Sequence, residues 1–363
     1  MALSTPSFDW DPAGPDRALA LARGRVAARD YGAARELLAA VRGAADCDAR
    51  AFRSLVLAAA AASNDVAETW VREEPENPDA LLLHARVAAH RALHAVVGRS
   101  ELERVASDAC RVACRAAPAD PTPYAVELSL LPLRGRTGDR VPGRPPGLPD
   151  DPAWGLWRAA ENRHPGHREA AQRLLTLCYP RNGGSAELAS DTAAYLASVG
   201  PPHGVNRLLP LLAALEGEHV PGPSGPDPQR LSKIHRLLGD LADQGSAQPQ
   251  AQQQRRNLLE MLELELRGEH AVDPVAEDLA REWFGPGNAP PASVTISDLS
   301  VLAEALHRGG RFGPAWRVLQ SIYPHASSFP WSRQGPPPKV LSRVYKECRR
   351  GGRADAQSGG AGR

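Results

Sequence analysis

The sequence predicts an all-α protein in which antiparallel helix pairs stack as a repeating array. Three observations lead there. Residues 77–117 read as two helices joined by a turn at Gly98-Arg99-Ser100, the first opening Asn77-Pro78-Asp79-Ala80. Proline suits a first helical position because the N–H it lacks is unpaired there anyway. The same punctuation returns at Pro121 and Pro165, so these prolines fall at intervals of 43 and 44 residues, a period that fits a helical repeat. Finally, only 5% of residues are aromatic while alanine is abundant, which suits closely packed helices better than a β-rich core.

In chain order, residues 1–14 are expected to be a flexible N-terminus and residues 15–133 a first helical-repeat half. Helices are predicted over 15–29, 31–42, 48–62 and 64–74, followed by the central pair and a helix over 121–133. Residues 134–151 are rich in Gly, Pro and Arg, a composition that does not hold a helix and reads as an inserted loop or linker. A second half is expected over 152–325, with helices over 152–162, 166–178, 186–199, 205–218, 229–241, 255–266 and 274–283. It contains a further break at 221–228 and a glutamine-rich run at 248–254. Residues 326–363 are read as a terminal helix and a disordered basic tail beginning after Arg349.

The totals exclude several classes. Forty-three Lys and Arg against 42 Asp and Glu leave a net charge of +1, so no global field favours nucleic acid or an anionic membrane. Five scattered cysteines do not form a secreted disulfide framework. No signal-peptide pattern opens the chain, and no apolar run approaches a membrane span. The expectation is a cytoplasmic protein.

Two segments carry a family resemblance. In residues 21–41, Asp30-Tyr31-Gly32-Ala33-Ala34 falls at the turn and Leu38 and Val41 follow at helical spacing. In residues 302–322 the corresponding positions are Leu302, Ala305, Gly310, Phe312, Ala315, Leu319 and Ile322, with Pro324 beyond. Both resemble a tetratricopeptide unit, in which a small residue after the turn lets the two helices cross closely. The chain over about residues 15–325 also resembles a group of uncharacterised actinobacterial tetratricopeptide-like proteins, at the 77–88 helix start, the 117–122 linker and the 181–185 loop. The resemblance implies a right-handed superhelix that holds a protein or peptide on its concave surface, and implies no reaction, cofactor or metal.

The candidate binding residues are His84, Arg86, His90 and Arg91. At about 100° per residue they share one broad arc of the central helix with His94, and Leu83 and Val87 intrude on it. Such a mixed face suits an anionic ligand or an acidic peptide; the competing reading is a helix carrying its polar residues at a rim. His90 and His94 at i, i+4 lack a third ligand or a zinc-protease glutamate. Cys110 and Cys114, one turn apart, read as core residues. Asn182-Gly183-Gly184-Ser185 reads as a turn with Ser185 as N-cap rather than as an anion loop. The basic stretches 134–144 and 343–353 read as solvated linker and tail, with nucleic acid as the alternative. Trp154 and Trp157 read as one packed edge. No nucleophile with a neighbouring base stands out. The expected function is therefore non-catalytic binding, with a peptide- or small-molecule-sensing regulator and an enzyme as alternatives.

Overall fold

The computed structural model describes residues 6–43, 47–134, 152–217 and 274–358. These residues are all-α, with fifteen α-helices and no strand among them. The helices are α1 (Arg17–Ala27), α2 (Gly32–Ala39), α3 (Cys47–Ala61), α4 (Val66–Glu73), α5 (Pro78–His94), α6 (Arg99–Ala116), α7 (Thr122–Arg134) and α8 (Ala153–Glu161). They continue as α9 (Arg168–Cys178), α10 (Ala186–Val199), α11 (Leu209–Gly217), α12 (Pro274–Phe284), α13 (Ile296–Arg308), α14 (Phe312–Ile322) and α15 (Pro337–Ser358). The breaks at 135–151 and 221–228, the segments 229–241 and 255–266, the glutamine-rich run and the last five residues lie outside the described residues.

Local chemistry starts these helices where the sequence places them. Pro78 occupies the first turn of α5, and the Asn77 side chain accepts from the Asp79 N–H at 2.9 Å. Asp16 caps α1 through the Leu19 N–H and Ser185 caps α10 through the Leu188 N–H, each satisfying an otherwise orphaned donor. Thr295 and Asp298 form a reciprocal capping box at α13.

Helix α5 is buried nearly all round, as expected for a helix in the interior of a fold. It packs on α3, α4, α6 and α7. The odd-numbered helices form a connected series: α1 touches α3, α3 touches α5, α5 touches α7, and α7 touches α9. Leu212 of α11 packs against both the core around α7–α11 and the core around α11–α15, so the apolar interior passes from one to the other.

The two segments with tetratricopeptide resemblance share a turn geometry. In the first, Arg29 has φ +66° and the Asp30 N–H donates to the Arg25 carbonyl at 2.9 Å. In the second, Gly310 has φ +70° and the Arg311 N–H donates to Leu306 at 2.8 Å. Ala34 and Ala315, each five residues past the positive-φ residue of its segment, are fully buried. Arginine in the left-handed region costs about 1–2 kcal/mol that glycine does not. Arg29→Gly is therefore expected to raise stability by about 0.5–1 kcal/mol, less than that cost because glycine also loosens the unfolded chain. Urea unfolding measures it, and an unchanged or lowered midpoint would show that the arginine side chain contributes more than its backbone costs.

Two ends depart from expectation. Residues 6–14 are not a free N-terminus. The Asp9 N–H donates to the Pro324 carbonyl and Asp9 accepts from the Ala326 N–H, both at 2.8 Å, while Phe8 packs edge-on against Tyr323 and Tyr345. Backbone pairing and aromatic burial hold the start of the chain on its C-terminal helices. Residues 350–358 are not a tail either, because α15 continues to Ser358. A Cβ built on Gly351 would lie 2.5 Å from the Phe312 Cβ. The glycines that suggested disorder let α15 approach α14 closely.

Candidate functional site

The four candidate residues on α5 are positioned by internal contacts. Arg86 is 3% exposed. Its guanidinium reaches Glu169 of α9 with both terminal nitrogens, one at 2.6 Å, and also donates to the Ser54 hydroxyl and the Ala51 carbonyl at 3.1 Å. Arg91 pairs with Glu68 and donates to the carbonyls of Ala62 and Asn64, closing the end of α3. His84 and His90 are half-buried, and burial pushes both imidazoles below their usual range. The rings of His90 and His94 stack with centroids 4.2 Å apart, and His94 Nδ1 lies 2.8 Å from the His90 carbonyl. This arc joins helices together; it does not wall an open groove. No group of His, Cys, Asp and Glu among the described residues is arranged to hold a metal.

The remaining minor motifs behave as ordinary structure. Cys110 is buried, and its burial raises the thiol well above its usual range. Trp154 and Trp157 are buried and pack with Tyr195. A Cβ on Gly184 would lie 1.9 Å from the Cys178 carbonyl oxygen, so the Asn182–Ser185 turn needs glycine for a close backbone approach.

A cavity of about 210 Å³ lies where four distant parts of the chain meet, between α3, α9, α11 with the 3-10 turn before it, and α13. One face of α9 forms its floor: Arg168, Glu169, Gln172, Arg173, Thr176 and then Tyr179, a helical spacing that keeps them on one side. Phe52 and Leu55 of α3, Leu212 of α11, and Phe329 give apolar wall.

Charges in this wall are tied to neighbours, and unequally. Arg168 donates to Asp298 of α13 at 2.8 and 2.7 Å, so one ion pair joins α9 to α13. Asp48 accepts the Arg168 backbone N–H at 3.0 Å, the position where an acid suits the α9 N-terminus. Glu169 receives Arg86 from behind the wall and Arg173 from in front, the latter at 3.2 and 3.3 Å. Although burial opposes ionisation, the two guanidiniums hold the Glu169 carboxyl down to about 2. Past the other end of α9, Glu216 takes both Arg181 and Arg333.

Two polar atoms at the wall lack partners among the described residues: the Tyr179 hydroxyl and Asn206 Oδ1. Tyr179 is 2% exposed and Asn206 is 4% exposed. An unsatisfied buried polar atom costs about 1–3 kcal/mol, and native proteins carry few of them.

No protein-family model, no curated protein and no solved structure matches the chain. The site is therefore read from its own residues. Sequence reasoning missed Asp48, Glu169, Arg173 and Asp298. Asp48, Glu169 and Asp298 lie in the first turn of a helix, where acidic residues are common for dipole reasons alone, and Arg173 is one of many arginines on helix faces. Nothing local separates these from the exposed ones.

Proposed function

We propose that this is a non-catalytic, tetratricopeptide-like helical-repeat protein that binds a small molecule or the end of a peptide in the cavity between α3, α9, α11 and α13. The solenoid reading, with antiparallel pairs in a right-handed superhelix, is supported by the series of odd-helix contacts and by the matching turns at residues 28–34 and 309–315. In this reading the odd-numbered helices face inward. The array curves until the N-terminal segment meets the C-terminal helices, which leaves a cavity where an open groove was expected.

The observation that carries binding is the convergence of charged side chains from distant helices on one cavity. That is the character of ligand sites. Binding is favoured over reaction because no His or Cys is among the lining residues and Glu169 is held ionised near neutrality by its two guanidiniums. All five cysteines are thiols, which supports a reducing compartment such as the cytoplasm. No described helix is long and apolar enough to cross a membrane.

The test is thermal unfolding of the full chain against a library of small polar molecules and short peptides. Leu55→Trp serves as the cavity-blocking control, since Leu55 is 37% exposed and the larger ring fits without core strain. At least one compound should raise Tm with saturable concentration dependence, as preferential binding to the folded state requires, and Leu55→Trp should remove the shift. No shift from any compound, or equal shifts in both proteins, would sink the proposal.

A further inference from the structure

The cavity wall carries two separated charge imbalances along α9. At the helix start, two carboxylates share one guanidinium: Asp298 hydrogen-bonds the Arg168 side chain, while Asp48 accepts the Arg168 backbone N–H and feels the Arg168 guanidinium and the His167 ring only through space. At the next residue, Glu169, two guanidiniums share one carboxylate. Arg86 grips Glu169 from behind with two hydrogen bonds, and Arg173 makes only long contacts to one oxygen of the same carboxyl. Among the described residues, Asp48 therefore offers a carboxylate that no cationic side chain hydrogen-bonds, and Arg173 offers a guanidinium with an unused edge. Both lie in the cavity lining.

We infer that the cavity takes a small zwitterion of amino-acid size, its ammonium on Asp48 and its carboxylate on Arg173. A simple cation satisfies the first imbalance and leaves the second; a simple anion does the reverse. A molecule bearing both charges meets both, and Arg is the side chain suited to bidentate carboxylate recognition. Phe52, Leu55, Leu212 and Phe329 then face an apolar side chain. The volume of about 210 Å³ is below the range of about 300–1,000 Å³ that accepts drug-sized ligands, which sets the size.

This inference rests on the cavity being the binding site. Its test is calorimetric titration of the full chain at neutral pH with a panel of free α-amino acids. Each is compared with its deaminated acid and its decarboxylated amine. An amino acid with an apolar side chain should bind at least tenfold more tightly than either truncated analogue. Asp48→Asn keeps the oxygen that accepts the Arg168 N–H while removing the charge, and Arg173→Gln removes the free guanidinium without disturbing the Arg86–Glu169 pair. Each should weaken the amino acid at least tenfold and leave the matching amine-free or acid-free analogue less affected. Circular dichroism and Tm near those of the parent exclude misfolding as the cause. If a truncated analogue binds as well as the amino acid, or if a ligand of another class binds and is lost in Leu55→Trp, the zwitterion assignment falls while the cavity reading stands. If nothing binds in either screen, both fall.

Discussion

Arg86→Ala is expected to cost about 3–5 kcal/mol of stability, the range seen when one member of a buried pair is removed and the other stays charged. Glu169 is 5% exposed. Without Arg86 it keeps only the long contacts from Arg173, while Ser54 and the Ala51 carbonyl also lose a donor. Urea unfolding measures the loss. The double variant R86M/E169L should recover most of it, because matched apolar residues carry no desolvation penalty. The pH dependence provides an independent check. Glu169 has a carboxyl lowered from the ordinary 4.5 to about 2, so its contribution is complete above the ordinary value and disappears as pH falls from there through about 2. That linkage is worth about 3 kcal/mol, and in R86A this part of the acid sensitivity should be largely gone. An R86A protein with parental stability and an unchanged acid limb would refute the pairing.

Arg50→Ala is expected to be as damaging. Arg50 is 4% exposed and ties three elements together. It donates to Asp79 at the start of α5 at 2.6 Å, to Asp120 just before α7 at 2.7 Å, and to the Leu38 carbonyl of α2 at 3.3 Å. Its loss leaves Asp120 without a guanidinium and Asp79, fully buried, with only the half-exposed Arg42. The expected cost is again about 3–5 kcal/mol. Arg42→Ala touches the same carboxylate from the solvent side and leaves Arg50 in place, so it should cost about 1 kcal/mol or less. The contrast between the two alanine variants in urea unfolding is the measurement. Equal costs would mean that burial does not decide which arginine matters.

Both predictions concern arginines that look alike in the sequence, and that is where sequence reasoning stopped. Helix starts at Pro78, Ser185 and Asp16 were legible because capping depends on residues within one turn. The all-α class was legible because helical periodicity and composition are local properties. The positive φ at Arg29 was not legible, because arginine carries no signal for the left-handed region, whereas Gly310 is the residue that favours it. The groove assignment to His84, Arg86, His90 and Arg91 read the helix face correctly as mixed. It had no means of knowing that Glu169, 83 residues along the chain from Arg86, closes over that guanidinium.

The glycines near the C-terminus make the same point from the other direction. Gly351 and Gly352 lower helix propensity, so composition alone argued for a disordered tail. Packing against Phe312 and Trp316 outweighs that cost of about 1 kcal/mol per glycine, because the absent side chains are what allow the two helices to meet. The N-terminal segment is similar: Phe8 and Asp9 carry no local structural signal, and their partners Tyr323, Pro324 and Ala326 lie more than 300 residues away.

The sequence by itself determined the all-α class, and helix starts and caps among the described residues, since these depend on interactions spanning a few residues. Only the tertiary structure decided which charges are buried, which carboxylates share a guanidinium, and that α3, α9, α11 and α13 enclose a cavity. The physical reason is that a charged side chain is defined by the dielectric and the partners around it, and those are supplied by helices remote in the chain.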